Sequence, residues 1–367
     1  MDSESVLVAS FLVLVALLVL LLVVAVVRKI AVFARDDRRT RADAAVRPAL
    51  VALVGNDGDD AESLEVLLRA RHAEGRAVER LAIEYLAKVR GEAHRALASV
   101  LERRGVVERM NRRARRHGPV GRARAAELLG AIGTPTAIDP LLELLCDRDA
   151  EVRSTAARAL GRIGDPRVLP ALLATQVSHR RVPRGVVTRA IAQVGGPAVD
   201  PLRSGLADPA AEVRALCAEM LGLLSAFGAV ADLVEVLESD PETEVRLPAA
   251  RSLGRLGVPS AVAALAAHVG RGVATPLRAV AAKALGGVGD PQAIGALVPL
   301  LTEDEYWVAH NAAYALLRLG PGGPAALRHV VATHPDRSAH AREALAVAEI
   351  AAERRHPERV RAHEVPA

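Results

Sequence analysis

One segment, Val152-Arg153-Ser154-Thr155-Ala156-Ala157-Arg158-Ala159-Leu160-Gly161-Arg162-Ile163-Gly164-Asp165-Pro166, recurs along the chain and constrains its fold more than any other feature. Matching cores are RARAAELLGAIGTP from Arg122, PRGVVTRAIAQVGGP from Pro183, VRALCAEMLGLL from Val213, VRLPAARSLGRLGVP from Val245, LRAVAAKALGGVGDP from Leu277 and VAHNAAYALLRLGPG from Val308. A weaker copy, HRALASVLERRG from His94, precedes them. One position of the pattern is occupied by Arg122, Arg153, Arg184, Arg214, Arg246 and Arg278, at spacings of 31, 31, 30, 32 and 32 residues. A period of this length is the signature of stacked supersecondary units.

Inside each copy the apolar residues recur at helical spacing. Gly or Gly-Asp-Pro then ends one helix, and a second segment such as Ala137-Ile138-Asp139-Pro140-Leu141-Leu142-Glu143-Leu144-Leu145 begins another. A proline just inside that second helix suits its first turn, and an Asp before the next Val-Arg can cap the following N-terminus. Two helices of about three turns cannot bury their shared apolar face alone, so neighbouring pairs must stack. Alternating runs bounded by hairpin turns, the mark of strands, are absent from the sequence.

The Val-Arg-x2-Ala-Ala-x-Ala-Leu-Gly-x-Ile-Gly-Asp-Pro-x-Ala-Ile pattern resembles the HEAT-like repeats first described in phycobilisome lyases, as found in membrane-anchored bacterial scaffold proteins, over about residues 92 to 335. The resemblance implies an all-α fold, a right-handed α-solenoid of about seven helix pairs, whose curved surface grips another macromolecule. It also implies irregular geometry where the pattern departs: Leu223-Leu224-Ser225-Ala226-Phe227-Gly228 replaces Gly-Asp-Pro in the fourth copy, and Ala309 replaces the ladder arginine in the seventh.

Ahead of the repeats, Val6 to Val27 are 22 consecutive uncharged residues. At about 1.5 Å per residue they reach roughly 33 Å, enough to cross a bilayer core. The segment begins Asp2, Ser3, Glu4 and runs directly into Arg28-Lys29, unlike a cleavable signal peptide. Arg28, Lys29, Arg35, Arg38, Arg39, Arg41 and Arg47 all follow it and no cation precedes it, so the C-terminal part is expected in the cytoplasm. The expected organisation is a short extracytoplasmic N-terminus (1–5), a transmembrane helix (6–27), a basic juxtamembrane linker (28–60), N-terminal capping helices and the weak first repeat (61–119), HEAT-like repeats (120–335), and a C-terminal capping helix with a frayed tail (336–367). The first two capping helices are expected over Ala61 to Ala73, capped by Asp60, and over Arg76 to Arg90. Asn56-Asp57-Gly58-Asp59-Asp60 is a turn, because its glycine is out of step with a calcium loop and the twelfth-position Glu is missing. Cys146 and Cys217 are expected as unbridged core residues.

Three groups of side chains stand out. The arginine ladder could line a polyanion groove, but neighbouring acids (Asp149 and Glu151 beside Arg153, Glu212 beside Arg214, Glu244 beside Arg246) favour a structural role in ion pairs between repeats. A basic run of Arg103, Arg104, Arg109, Arg112, Arg113, Arg115 and Arg116 lies on a helix whose other face carries Val106, Val107 and Met110, and is a candidate surface for lipid or another polyanion. Tyr306, Trp307, His310, Asn311 and Tyr314 include the only Trp of the chain and form a candidate partner-binding patch.

No catalytic, cofactor-binding or metal-ligating set is recognised. Gly286-Gly287-Val288-Gly289 is read as the helix-terminating glycines of a repeat rather than a dinucleotide loop, and His329, His334 and His340 lack carboxylate or Cys partners at metal spacing. With three Phe, three Tyr and one Trp, stacking platforms for single-stranded nucleic acid are scarce, and the net charge of +5 demands no polyanion. The function expected is a single-pass inner-membrane scaffold without cofactor, small-molecule substrate or catalysis, its cytoplasmic solenoid holding a partner protein, such as a membrane-associated enzyme, at the bilayer. The alternatives are a lyase-like or glycosylase-like enzyme by fold analogy, and binding of nucleic acid or anionic lipid through the arginine-rich surfaces.

Overall fold

A computed structural model of the chain describes residues 3–56 and 58–355, and the side chains of 17–18, 20–56 and 58–351. Among the described residues every regular element is helical. The helices fall into two compact units, one reaching Ala137 and one starting at Ile138.

The first unit contains α1 (Ser3–Gly55), α2 (Ala61–Arg69), α3 (His72–Leu86), α4 (Gly91–Arg103), α5 (Val106–Arg116) and α6 (Pro119–Ile132). The stretch 28–60, expected as a linker, stays helical to Gly55. The reason is visible in its apolar spacing: Ala42, Val46, Leu50 and Leu53 return to one face every three or four residues, and all four are buried. That face packs on α2, α3 and α4. Asp60 caps α2 through its carboxylate, which accepts from Ser63 N at 2.9 Å. The two helices expected at 61–73 and 76–90 instead end at Arg69 and begin at His72, where a positive φ of 51° turns the chain.

The second unit alternates short and long helices. The long ones, α8 (Ala150–Ile163), α10 (Arg184–Val194), α12 (Ala211–Leu223), α14 (Thr243–Leu256), α16 (Thr275–Val288) and α18 (Tyr306–Leu316), each pack on the next. The short ones, α7 (Ile138–Leu145), α9 (Leu169–Ala174), α11 (Val199–Ser204), α13 (Val230–Ser239), α15 (Val262–Ala267) and α17 (Ile294–Leu297), are briefer than the expected three turns. Most open through a 3-10 turn such as Pro166–Val168, where Asp165 accepts from Arg167 N. Two more helices, α19 (Gly322–Thr333) and α20 (Ala339–Arg355), follow.

Small residues set the spacing of the long helices. A Cβ on Gly161 would stand 2.6 Å from Ala190 Cα, one on Gly254 2.5 Å from Ala284 Cα, and one on Gly286 2.6 Å from Ala315 Cα. Each contact is made by the next long helix of the stack. Gly286 and Gly287 therefore lie inside α16 as packing residues, which corrects their reading as terminators. Termination belongs to the residue eleven beyond the ladder position, Gly257 (φ 68°) and Gly289 (φ 77°) among them.

Ser225 occupies that position in the fourth copy and adopts φ 54° without being glycine. This explains how the copy lacking Gly-Asp-Pro still ends its helix. A left-handed conformation costs a residue with a Cβ about 1–2 kcal/mol, offset in part by the greater unfolded-state freedom of glycine. Ser225→Gly is expected to stabilise the chain by about 0.5–1 kcal/mol, read as a rise in the urea midpoint with unchanged m-value.

Cys217 is buried, and burial first, then the nearby Asp208 charge, pushes its thiol up to about 12. Cys146 is exposed, against the expectation that it sits in the core; it lies at the end of α7, past the last buried turn.

Candidate functional site

The ladder arginines turn their guanidinium groups onto the backbone. Arg153 donates to the carbonyls of Asp147 (2.8 Å) and Arg148 (3.1 Å), Arg214 to those of Asp208 (3.0 Å) and Pro209 (3.1 Å), Arg246 to Leu237 (3.0 Å) and Arg278 to Val269 (2.9 Å). Arg122 does the same with His117 at 2.9 Å. Each acceptor lies at or just beyond the end of the preceding helix, where carbonyls have no intrahelical partner. Arg153, Arg214 and Arg278 then continue into the next connection, meeting Arg181 O (3.3 Å), the Asp240 carboxylate (2.7 and 3.0 Å) and Glu303. Arg184 differs, being half exposed and paired with Glu219 at 2.6 Å.

The acids beside the ladder in sequence are not these partners, which is a correction. Asp149 accepts from Glu151 N and Val152 N as the cap of α8, and Glu151 pairs with Arg158. Sequence proximity misleads here because residues one to four apart at a helix N-terminus face the cap, while the long arginine side chain folds back along the preceding loop.

The Arg214–Asp240 pair is nearly buried, at 12% and 5% side-chain exposure. Burial works to raise the Asp240 carboxyl, but the hydrogen bonds from Arg214 and Glu242 N, with the charges of Arg214 and Arg246, hold it below the ordinary carboxylate value. A lowered carboxyl contributes stability above its unfolded pKa of about 3.9 and loses it as pH falls through the folded value. The stability gap between the native chain and Asp240→Asn is therefore expected to be constant above about pH 5 and to close below about pH 4, measured by urea unfolding at each pH.

The basic run does not form one patch. Arg104 is only 12% exposed and donates to Leu67 O (2.9 Å) and Ala70 O (3.0 Å), closing the end of α2. Arg109 pairs with Glu79 at 2.7 Å and donates to Arg104 O. Arg113 is half-buried with Nε enclosed, whereas Arg103, Arg112, Arg115 and Arg116 face outward. Val106 and Val107 are buried as expected, with Met110 half-buried beside them.

The aromatic cluster is brought together by α18. Tyr306 and Trp307 are exposed, at 52% and 64%. Asn311 donates Nδ2 to Ala279 O at 2.8 Å, tying α18 to α16. His310 stacks on Tyr306 (centroids 5.5 Å apart, planes 11°) and lies 4.5 Å from the Tyr314 ring. His340 and Glu343 of α20 complete the group: Glu343 Oε2 is 3.8 Å from His310 Nδ1 and 3.4 Å from His340 Nδ1, and Tyr314 Oη donates to Glu343 Oε1 at 3.4 Å. The expectation that His340 lacks a carboxylate partner is thereby corrected, since Glu343 follows it by one helical turn. The available signal was spacing, as His310 and Glu343 are 33 residues apart, about one repeat.

Beside this cluster runs a groove of about 600 Å3 across the outward faces of α14, α16 and α18. Arg251, Arg255, Lys283 and Arg318 line it, with Trp307, Asn311 and Val280. All four cations are exposed, and among the described residues none forms an ion pair. They form no local motif in the sequence, because they lie between ladder positions, scattered over three copies.

The HEAT-repeat pattern matches residues 112–192, 199–282 and 271–349, more than half of the chain. The chain belongs to the HEAT-repeat family. Two solved structures of mutant forms of Kap121p resemble this HEAT-repeat chain at TM-scores of 0.52 and 0.50, with 14% and 13% identity. They cover 78% and 80% of it, while it spans 39% and 37% of theirs, and they support the solenoid fold alone. The phycocyanin lyase complex CpcE–CpcF from Nostoc matches at 22% identity over 66% of this chain and 94% of its own, with a TM-score of 0.26. No curated protein matches.

Among the described residues no helix is long and apolar enough to cross a membrane. Of the expected span 6–27, the side chains of 6–16 and of residue 19 lie outside the described residues.

Proposed function

We propose that this HEAT-repeat chain is a membrane-anchored scaffold that receives an acidic segment of a partner protein in the groove across α14, α16 and α18, and performs no catalysis of its own. The observation that carries the reading is the convergence of four unpaired cations on an exposed Trp307 in one groove. Tryptophan supplies a large contact area that desolvates on binding, and cations around it select the charge of the partner and speed its encounter. Membership of the HEAT-repeat family supports a protein-interaction role, since stacked repeats present extended surfaces of this kind.

The anchor is the second half of the proposal. Leu17, Leu18, Leu20, Leu21, Leu22, Val23, Val24, Val26 and Val27 are exposed along α1, continuing through Ile30 and Phe33. An exposed apolar surface of this kind marks a membrane or protein contact. Arg28, Lys29, Arg35, Arg38 and Arg39 follow it on the side expected to face the cytoplasm. Anchoring concentrates the scaffold and any membrane-associated partner in the same plane, so moderate intrinsic affinity suffices.

The test is copurification from detergent extracts. Native chain and Trp307→Ala are expected to differ in one or a few acidic proteins, and these should be lost as well from Arg251→Glu. Identical captures from all three chains would defeat the groove as the binding surface, and recovery of the full chain in the soluble fraction of broken cells would defeat the anchor.

A further inference from the structure

We propose that His310, His340 and Glu343 bind one first-row divalent cation of the zinc class, clipping α20 to the last repeat helix α18. Each offers one ligand atom, and the three atoms lie within 4.8 Å of one another. Zinc takes imidazole nitrogen and carboxylate oxygen at about 2.0–2.2 Å, so the edges of its tetrahedron measure about 3.3–3.5 Å. The Glu343 Oε2 edges, 3.4 Å to His340 Nδ1 and 3.8 Å to His310 Nδ1, need only a few tenths of an ångström of closure.

The second observation is an unmet group. His310 Nδ1 is shielded from solvent and has no hydrogen-bond partner, although a carboxylate oxygen is nearby. Buried polar atoms are normally satisfied, and one left open at a cluster of ligands calls for an occupant. A hydrogen bond to Glu343 does not satisfy it, because 3.8 Å is too long for one. A cation set between the three atoms uses the lone pairs of both imidazoles and the carboxylate together.

The surroundings fit a metal site. Tyr314 Oη donates to the second carboxylate oxygen, the outer support that ligating carboxylates usually have. Tyr306 flanks both imidazoles, stacked on His310 and edge-on to His340 at 4.7 Å, which restricts their rotation. Glu343 is exposed, leaving the fourth position to water or to a donor atom of a partner.

The test is titration of the EDTA-treated full chain in detergent with Co2+, followed by displacement with Zn2+. The intense visible band of four-coordinate Co2+ is expected to saturate at one ion per chain. Affinity should fall at least tenfold in His340→Ala and Glu343→Gln and about tenfold in Tyr314→Phe. His329→Ala and His334→Ala should leave it unchanged. Glu343 is exposed, so Glu343→Gln is expected to melt with the native chain in EDTA, separating loss of the site from loss of the fold. No saturable band, or binding of equal affinity in Glu343→Gln, overturns the proposal. The groove cations are untouched by these variants, so the outcome is independent of partner binding.

Discussion

Gly254→Val is expected to destabilise the second unit by about 2–3 kcal/mol, the upper range for overpacking a close-packed interior. Its first added atom would stand 2.5 Å from Ala284 Cα and 2.7 Å from Ala284 Cβ, and the first of these is backbone of the facing helix, which has no rotamer to yield. Even Gly254→Ala is expected to destabilise, although alanine is the better helix former by about 0.5–1 kcal/mol. Gly185 supplies the contrast. It lies exposed in α10 with nothing within 4 Å of an added Cβ, so Gly185→Ala is expected to stabilise by about 0.4–1 kcal/mol. Opposite signs for one chemical change, read from urea unfolding of the two variants, would locate the stacking of α14 on α16. Equal signs would remove close helix approach as the reason for these glycines.

The second large effect is expected at Arg278, which is 4% exposed. Arg278→Met removes the donor to Val269 O and strands Glu303, whose side chain is 9% exposed. Arg271, 82% exposed and 3.6 Å away, is too loosely held to take over. Breaking a buried pair by deleting one partner costs about 3–5 kcal/mol, most of it the isolated charge. Adding Glu303→Leu removes that charge, so the double variant is expected to recover more than half of the loss. A double-mutant cycle measures this directly. A loss below about 1 kcal/mol for the single variant would place the ladder among exposed pairs of little consequence.

These two sites show what was legible in the sequence. The period of 30 to 32 residues identified the helix pairs, because a unit that cannot bury its own apolar face must repeat it. The αL position after each long helix was legible wherever glycine holds it, and hidden where Ser225 does. Arg153 and Arg278 were visible as a ladder, but their partners were not, since a guanidinium at the end of four rotatable bonds reaches carbonyls six to nine residues back. The extension of the first unit back to Ala42 was obscured by the arginines around it. The groove and the His310, His340 and Glu343 cluster arise only when residues from different repeats are brought side by side, so no local motif marks either.

The emission of Trp307, the only tryptophan of the chain, tests partner binding most directly, because the ring is 64% exposed at the wall of the groove. A glutamate-rich peptide titrated into the full chain in detergent should shift that emission to the blue, saturably and more weakly as salt rises. Reversing Arg251 and Lys283 to Glu should abolish the shift while leaving the melting temperature in place. An emission that ignores the peptide, or a shift that survives the charge reversal, would contradict recognition of an acidic partner at this groove.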